Sequence, residues 1–177
     1  MNIAIVGGGS TGLLLSAYLG KMGHAVTCYV RRSEQMERIQ QHNGITLLPS
    51  KEKTVIEAKD VLDAGDHDIY IFCVNRNERK VRMDKPFLFL QNGMGHIRIL
   101  SELNRPIYVG VLDHGAKRID DYTVLHTGKG SIRIGSYDKK DTEMLHQLIR
   151  VLHHDDFPVY YVEHWKDLLK EKLIVNI

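Results

Sequence analysis

The stretch Asn2-Ile3-Ala4-Ile5-Val6-Gly7-Gly8-Gly9-Ser10-Thr11-Gly12 constrains this chain more than any other. A short apolar run ends in Gly7-x-Gly9-x-x-Gly12, and Leu13, Leu14, Ala17 and Tyr18 then recur at helical spacing. Strand, tight glycine turn and helix in that order form a dinucleotide-binding fingerprint. Gly7 permits the turn, Gly9 lets the backbone approach a pyrophosphate, and Gly12 lets the helix sit close to the strand. The helix start, at Ser10 and Thr11, offers free N–H groups and a positive dipole end to phosphate. The whole loop from Gly7 through Gly8 to Gly12 is therefore the candidate cofactor cradle, against the alternative of a purely structural glycine turn.

The rest of the chain continues the alternation. A helix over 11–22 ends at Gly23, Ala25 to Val30 reads as a second strand, and a helix over 34–42 ends at the turn signal Asn43-Gly44. Ile45–Leu48 and Thr54–Glu57 read as short strands that could pair. Asp68–Val74, Phe87–Leu90 and Ile107–Leu112 are continuous apolar runs, the pattern of strands buried on both faces of a parallel sheet. A helix is predicted from about 96 to 103. Strands alternating with helices imply a Rossmann-like, doubly wound, mostly parallel α/β sheet. After Gly115 the pattern changes. Tyr122–His126 and Ser131–Ile134, flanking Thr127-Gly128-Lys129-Gly130, predict an antiparallel hairpin extension. An amphipathic helix over 141–153, a strand over 159–162 and a helix from Trp165 to Ile177 follow. That last helix has no Gly or Pro stop and reads as cut through, which would expose Leu169, Leu173 and Ile177 and invite self-association into a homo-oligomer. The reading divides the chain into a dinucleotide-binding domain over 1–163 and the start of an interdomain helix over 164–177.

Bulk properties exclude several classes. The net charge of +2 is spread along the chain, which argues against nucleic acid as the main partner. No apolar run approaches the roughly 18 residues of a membrane span, and a strand at the very start leaves no room for a signal peptide. Cys28 and Cys73 lack CxxC spacing and fall in strands, so buried, reduced thiols and a cytoplasmic location are expected. His153-His154-Asp155-Asp156 lacks paired ligands at helical spacing and reads as a solvated helix end, with no metal. His114, just past a strand end, reads first as a loop-holding residue and second as a cofactor contact.

NAD-binding folds usually carry an Asp or Glu at the end of the second strand, about twenty residues past the glycines, to hold the ribose 2′-OH. Here that strand ends Tyr29-Val30-Arg31-Arg32. Guanidinium groups suit a 2′-phosphate, so the cofactor is expected to be NADP, with Arg31 as first choice and Arg32 as second. The alternative is a pair of solvated arginines.

Gln91-Asn92-Gly93-Met94-Gly95, Asp113-His114-Gly115-Ala116, His126-Thr127-Gly128 with Ile134-Gly135, and Trp165 with Lys172-Leu173-Ile174-Val175-Asn176 follow one another along the chain. In these motifs the chain resembles the ketopantoate reductase family, the 2-dehydropantoate 2-reductases of pantothenate synthesis. The resemblance implies an oxidoreductase that uses NADPH to reduce 2-dehydropantoate, a small-molecule substrate, to pantoate. It implies an N-terminal Rossmann domain and a C-terminal helical domain, with the active site between them. It also implies that Gly7 to Gly12 hold the cofactor, Arg31 the 2′-phosphate, and Ala116 the cofactor through its backbone. Asn92 would serve both cofactor and substrate, Lys172 would be catalytic, and Asn176 would bind substrate. There are two departures. Asn75 of Val74-Asn75-Arg76-Asn77-Glu78 stands where the family pattern Val-Lys-x-x-Gln has its cofactor-side lysine, leaving Arg76 or Arg79 to supply the charge. The family's helical domain is expected to be missing from a chain that stops one residue after Asn176.

The chemistry is coherent. Hydride delivery to a ketone leaves an alkoxide-like oxygen that a positioned acid must stabilise and protonate. A lysine ammonium can do both once partial burial lowers its pKa from about 10.4. Lys172 lies between Leu169 and Leu173, so its stem would pack while its head reaches a cleft. Asn176, four residues on, shares its helix face. On spacing alone Lys172 reads first as a solvated lysine like Lys166 and Lys170, and Asn92-Gly93 has the alternative of a plain turn. A non-catalytic NADPH-binding module and a reductase of another 2-oxo acid are the competing functions.

Overall fold

The structure, a computed structural model, describes residues 1–63, 65–74, 85–90, 105–138 and 142–175; of Thr142 and residues 172–175 it describes the backbone alone. The N-terminal part alternates as expected, through β1 (Asn2–Val6), α1 (Ser10–Lys21), β2 (Ala25–Val30) and α2 (Ser33–His42). Three short strands follow, β3 (Ile45–Leu48), β4 (Glu52–Thr54) and β5 (Glu57–Asp60). The next described elements are β6 (Ile69–Phe72), β7 (Phe87–Phe89), β8 (Ile107–Leu112), β9 (Gly115–Arg118), β10 (Thr123–Gly128) and β11 (Ile132–Ser136). α3 (Thr142–Leu152), β12 (Val159–Tyr161) and α4 (Trp165–Val175) complete the chain. The helix predicted near 96–103 lies outside the described residues.

Eight strands form the main sheet in the order β12-β11-β8-β7-β6-β1-β2-β5. Every neighbouring pair is parallel except β8 and β11. Strand order reverses at β1, which lies between β2 and β6. A ligand crevice opens at such a switch point, beyond the carboxyl ends of the strands. The period of two along β1 divides the core. Ile3 and Ile5 pack with Leu13, Leu14, Cys28 and Val30 on one face. Ala4 and Val6 pack with Tyr70, Phe72, Trp165, Leu168 and Leu169 on the other.

α1 is buried without a break from Gly12 to Leu19. A helix apolar on all sides is covered on all sides. Its second cover is a small sheet of order β4-β3-β10-β9, whose Ile45, Leu47 and Val124 join the same core as Leu13 to Leu19. α2 ends where Asn43 turns left-handed (φ 57°), with Gly44 at φ 126°. The Gly44 N–H donates back to Ile39 O at 3.0 Å, closing the last turn.

Three expectations are corrected. β10 and β11 do not pair with each other: β10 pairs with β9 and β3, and β11 pairs with β8 and β12. Lys129 to Ser131 leads between the two sheets, and the antiparallel hairpin is β9–β10. Gly130 passes so close to Asp113 that a Cβ there would meet Asp113 O at 2.5 Å. Thr54–Glu57 is not one strand either. β4 pairs with β3, and β5 crosses to β2, where Thr27 Oγ1 donates to Glu57 Oε2 at 3.0 Å. Leu169 is 2% exposed under the main sheet, so it forms no seam for self-association. The side chains of Leu173 and Ile177 lie outside the described residues.

Trp165 anchors α4, donating from its indole N–H to Tyr137 O at 3.3 Å. Cys28 and Cys73 are free thiols. Burial pushes Cys28 up to about 11 and Cys73 up as well, so both stay protonated. Among the described residues no helix is long and apolar enough to cross a membrane, and no group of three or more His, Cys, Asp or Glu could hold a metal ion.

Candidate functional site

A cleft of about 380 Å³ opens at the switch point. The glycine loop forms its floor, Arg31 and Arg32 after β2 stand at one end, and Val61, Val74 and Arg118 complete the walls. Gly7 has φ 119°, and a Cβ on it would overlap Val74 Cγ1. A Cβ on Gly12 would overlap the Gly7 carbonyl oxygen, so α1 lies directly on the turn. Gly9 differs: among the described residues nothing stands within 4 Å of where its Cβ would point. Two glycines therefore serve packing, and the third leaves open room beside the backbone.

No side chain caps α1, and its first turn holds no acid. The positive end of the helix is left for an anion. Ser10 Oγ instead accepts the backbone N–H of Arg118 at 3.1 Å. Thr11 follows in the same turn, half-buried. The cradle, the open face at Gly9 and the uncapped helix together fit a pyrophosphate.

The structure separates the two arginines. Arg32 is ion-paired with Asp121, whose other carboxylate oxygen takes Arg38 at 3.1 Å. Gln35 bridges the same corner, donating to Gly8 O at 2.8 Å and to Asp121 O at 3.1 Å. Arg31 has no ion pair or hydrogen bond among the described residues, is exposed, and lines the cleft. Both arginines line the cleft, but only Arg32 is held by a carboxylate among the described residues.

Ala116 sits on β9 opposite His126 and does not line the cleft. Lys172 belongs to α4, and its side chain lies outside the described residues, as do Asn75, Asn92 and Asn176. Sequence reasoning missed Asp121 and Arg118. Asp121 carries no local signal. Nor does Arg118: β9 has no apolar alternation, and its place over the glycine loop follows from its pairing in the small sheet.

His114 holds its loop. Its Nδ1 accepts the Gly130 N–H at 3.2 Å and lies 3.0 Å from His126 Nε2, while the Tyr18 hydroxyl lies 2.8 Å from His126 Nδ1. The ring stacks on Phe157 at 4.1 Å. Burial, helped by His126 nearby, pushes His114 down to about 4, against a weaker opposing pull from Asp113. The unfolded chain takes up a proton near the ordinary histidine value of about 6.5, whereas folded His114 resists until about pH 4. Stability present above pH 6.5 is therefore lost as pH falls toward 4, with buried His67 and half-buried His126 acting in the same sense. Melting temperature should fall across that window, and His114→Gln should make the slope shallower. An equal slope in the variant would contradict this.

The model of the family Ketopantoate reductase PanE/ApbA matches residues 3–139. The chain belongs to the ketopantoate reductase family. This family member is 40% identical to the 2-dehydropantoate 2-reductase of Bacillus subtilis over 186 residues, covering 99% of this chain and 61% of the relative. The Listeria monocytogenes 2-dehydropantoate 2-reductase is 30% identical, covering 99% and 63%. The crystal structure of the probable 2-dehydropantoate 2-reductase from Bacillus subtilis superposes with a TM-score of 0.87 at 38% identity, covering 99% of this chain and 63% of that one. The chain thus spans about three-fifths of the length of those relatives and carries the glycine-loop cleft within that span.

Proposed function

We propose that this chain holds NADPH for the reduction of 2-dehydropantoate to pantoate, a step of pantothenate and coenzyme A synthesis. The observation that carries the reading is the Arg31 guanidinium, which lines the glycine cleft with no partner among the described residues, while Arg32 beside it is ion-paired with Asp121. Family membership and the 40% identity to a named 2-dehydropantoate 2-reductase support the reaction and substrate. A cytoplasmic location goes with this reading, since Cys28 and Cys73 are free thiols of the kind a reducing compartment maintains.

In this proposal Gly7 to Gly12 and the α1 amides hold the pyrophosphate, and Arg31 holds the 2′-phosphate. Asn75, Asn92 and the Ala116 backbone serve the rest of the cofactor. When bound, the nicotinamide supplies a hydride to the ketone carbon. Lys172 holds the ketone oxygen through its ammonium and gives it a proton. Asn92 and Asn176 orient the substrate through their amides, so that the carbonyl meets Lys172.

The test is NADPH consumption with 2-dehydropantoate, followed together with cofactor binding. Arg31→Ala should weaken NADPH roughly 10- to 100-fold, the worth of a charge-assisted contact, and leave NADH unchanged. Equal weakening of both would place the 2′-phosphate elsewhere. NADPH binding without consumption of 2-dehydropantoate in the longest form available would sink the substrate assignment.

A further inference from the structure

We propose that Arg118 is a second cofactor-binding arginine, one that grips the pyrophosphate from the side facing α1; this rests on the cofactor reading above. β9 is the outer strand of the small sheet, and its last residue lies across the glycine loop. Arg118 is tied there at two points. Its backbone N–H donates to Ser10 Oγ at 3.1 Å, and its Nη1 donates to Gly8 O at 3.4 Å. Those partners flank Gly9, the loop position with open space beside it. The guanidinium thus stands where a pyrophosphate would approach the backbone.

The bond to Gly8 does not account for this guanidinium. Gly8 O already accepts a shorter bond from Gln35 at 2.8 Å. A guanidinium has five N–H donors, and among the described residues Arg118 engages one side-chain donor and meets no carboxylate. The neighbouring arginines behave otherwise: Arg32 and Arg38 are both committed to Asp121. Two of the four arginines at this corner are thereby committed to a carboxylate. Asp121 holds two in the wall, Arg31 stands at the β2 end for a 2′-phosphate, and Arg118 stands over the loop for the bridging phosphates. Anchoring of its backbone at Ser10 reduces the freedom Arg118 loses on binding.

Three probes separate these roles in the unmodified chain and its variants: NADPH, NADH and 2′-AMP, with 2′-AMP measured by displacement of NADPH fluorescence. Arg118→Gln keeps a donor for Gly8 O and removes the charge. It should weaken NADPH and NADH alike, roughly 10-fold or more, and leave 2′-AMP unchanged, with the melting temperature held. Arg118→Lys, which keeps charge but loses the fork, should fall between. Arg31→Ala should show the opposite pattern, losing NADPH and 2′-AMP but not NADH. Unchanged NADPH and NADH affinity in Arg118→Gln, or a loss confined to 2′-AMP, overturns the Arg118 assignment alone. Failure of the unmodified chain to bind any probe overturns the cofactor reading itself.

Discussion

Gly12→Ala should destabilise the fold by about 3 kcal/mol or more and remove cofactor binding with it. The added methyl would overlap the Gly7 carbonyl oxygen, and the Gly7 carbonyl carbon stands only 2.9 Å away. Both are backbone atoms, so no rotamer change relieves the clash. Gly7 cannot retreat, because its φ of 119° and the Val74 side chain against it hold the turn in place. α1 must lift from β1, and the core shared by Leu13, Leu14, Ile3 and Ile5 opens. For a chain of this size the melting temperature should drop by roughly 6–12 °C. Gly9→Ala is the matched control. Its φ is −81°, which alanine adopts freely, and its methyl meets nothing within 4 Å. Stability should stay within about 0.5 kcal/mol, yet NADPH binding should fall sharply because the methyl occupies the approach to the backbone. A Gly12→Ala protein that melts normally, or a Gly9→Ala protein that binds normally, would contradict this division between packing and binding.

Lys172→Ala should lower turnover of the longest active form by about 10²- to 10⁴-fold, the usual range for a positioned general acid. NADPH affinity should not change. The distinction matters because a lysine on the solvated side of a helix would alter neither, and a lysine that held the cofactor would alter both. An ammonium at the ketone oxygen acts only as negative charge develops there, so its removal is felt in kcat. Loss of turnover together with NADPH binding would count against the acid role.

The parts of the fold legible in the sequence are local. The β1–loop–α1 unit is visible because three glycines, an apolar run and helical spacing all fall within about twenty residues. The buried runs of β6, β7 and β8 are visible because strands covered on both faces lose their polar alternation. What stayed hidden depends on partners far along the chain. Asp121 sorts Arg31 from Arg32 across 89 positions, and no pattern near either arginine announces it. β9, with the sequence Gly-Ala-Lys-Arg and a half-exposed to exposed profile, lacks a strand signature, so the sequence pattern points β10 to the next apolar stretch instead. Leu169 reads as an exposed seam in the sequence because the strands that cover it lie far along the chain. Of the cleft's lining, the glycine loop and Arg31 are legible from local sequence, and Arg118 is not, because its place depends on how the second sheet packs over α1.

The measurement that bears most directly on the central claim is a fluorescence titration of the unmodified chain with NADPH and with NADH. The account predicts saturable NADPH binding, with NADH at least tenfold weaker for want of the Arg31 contact. Equal affinity for the two, or no binding of either, would contradict it.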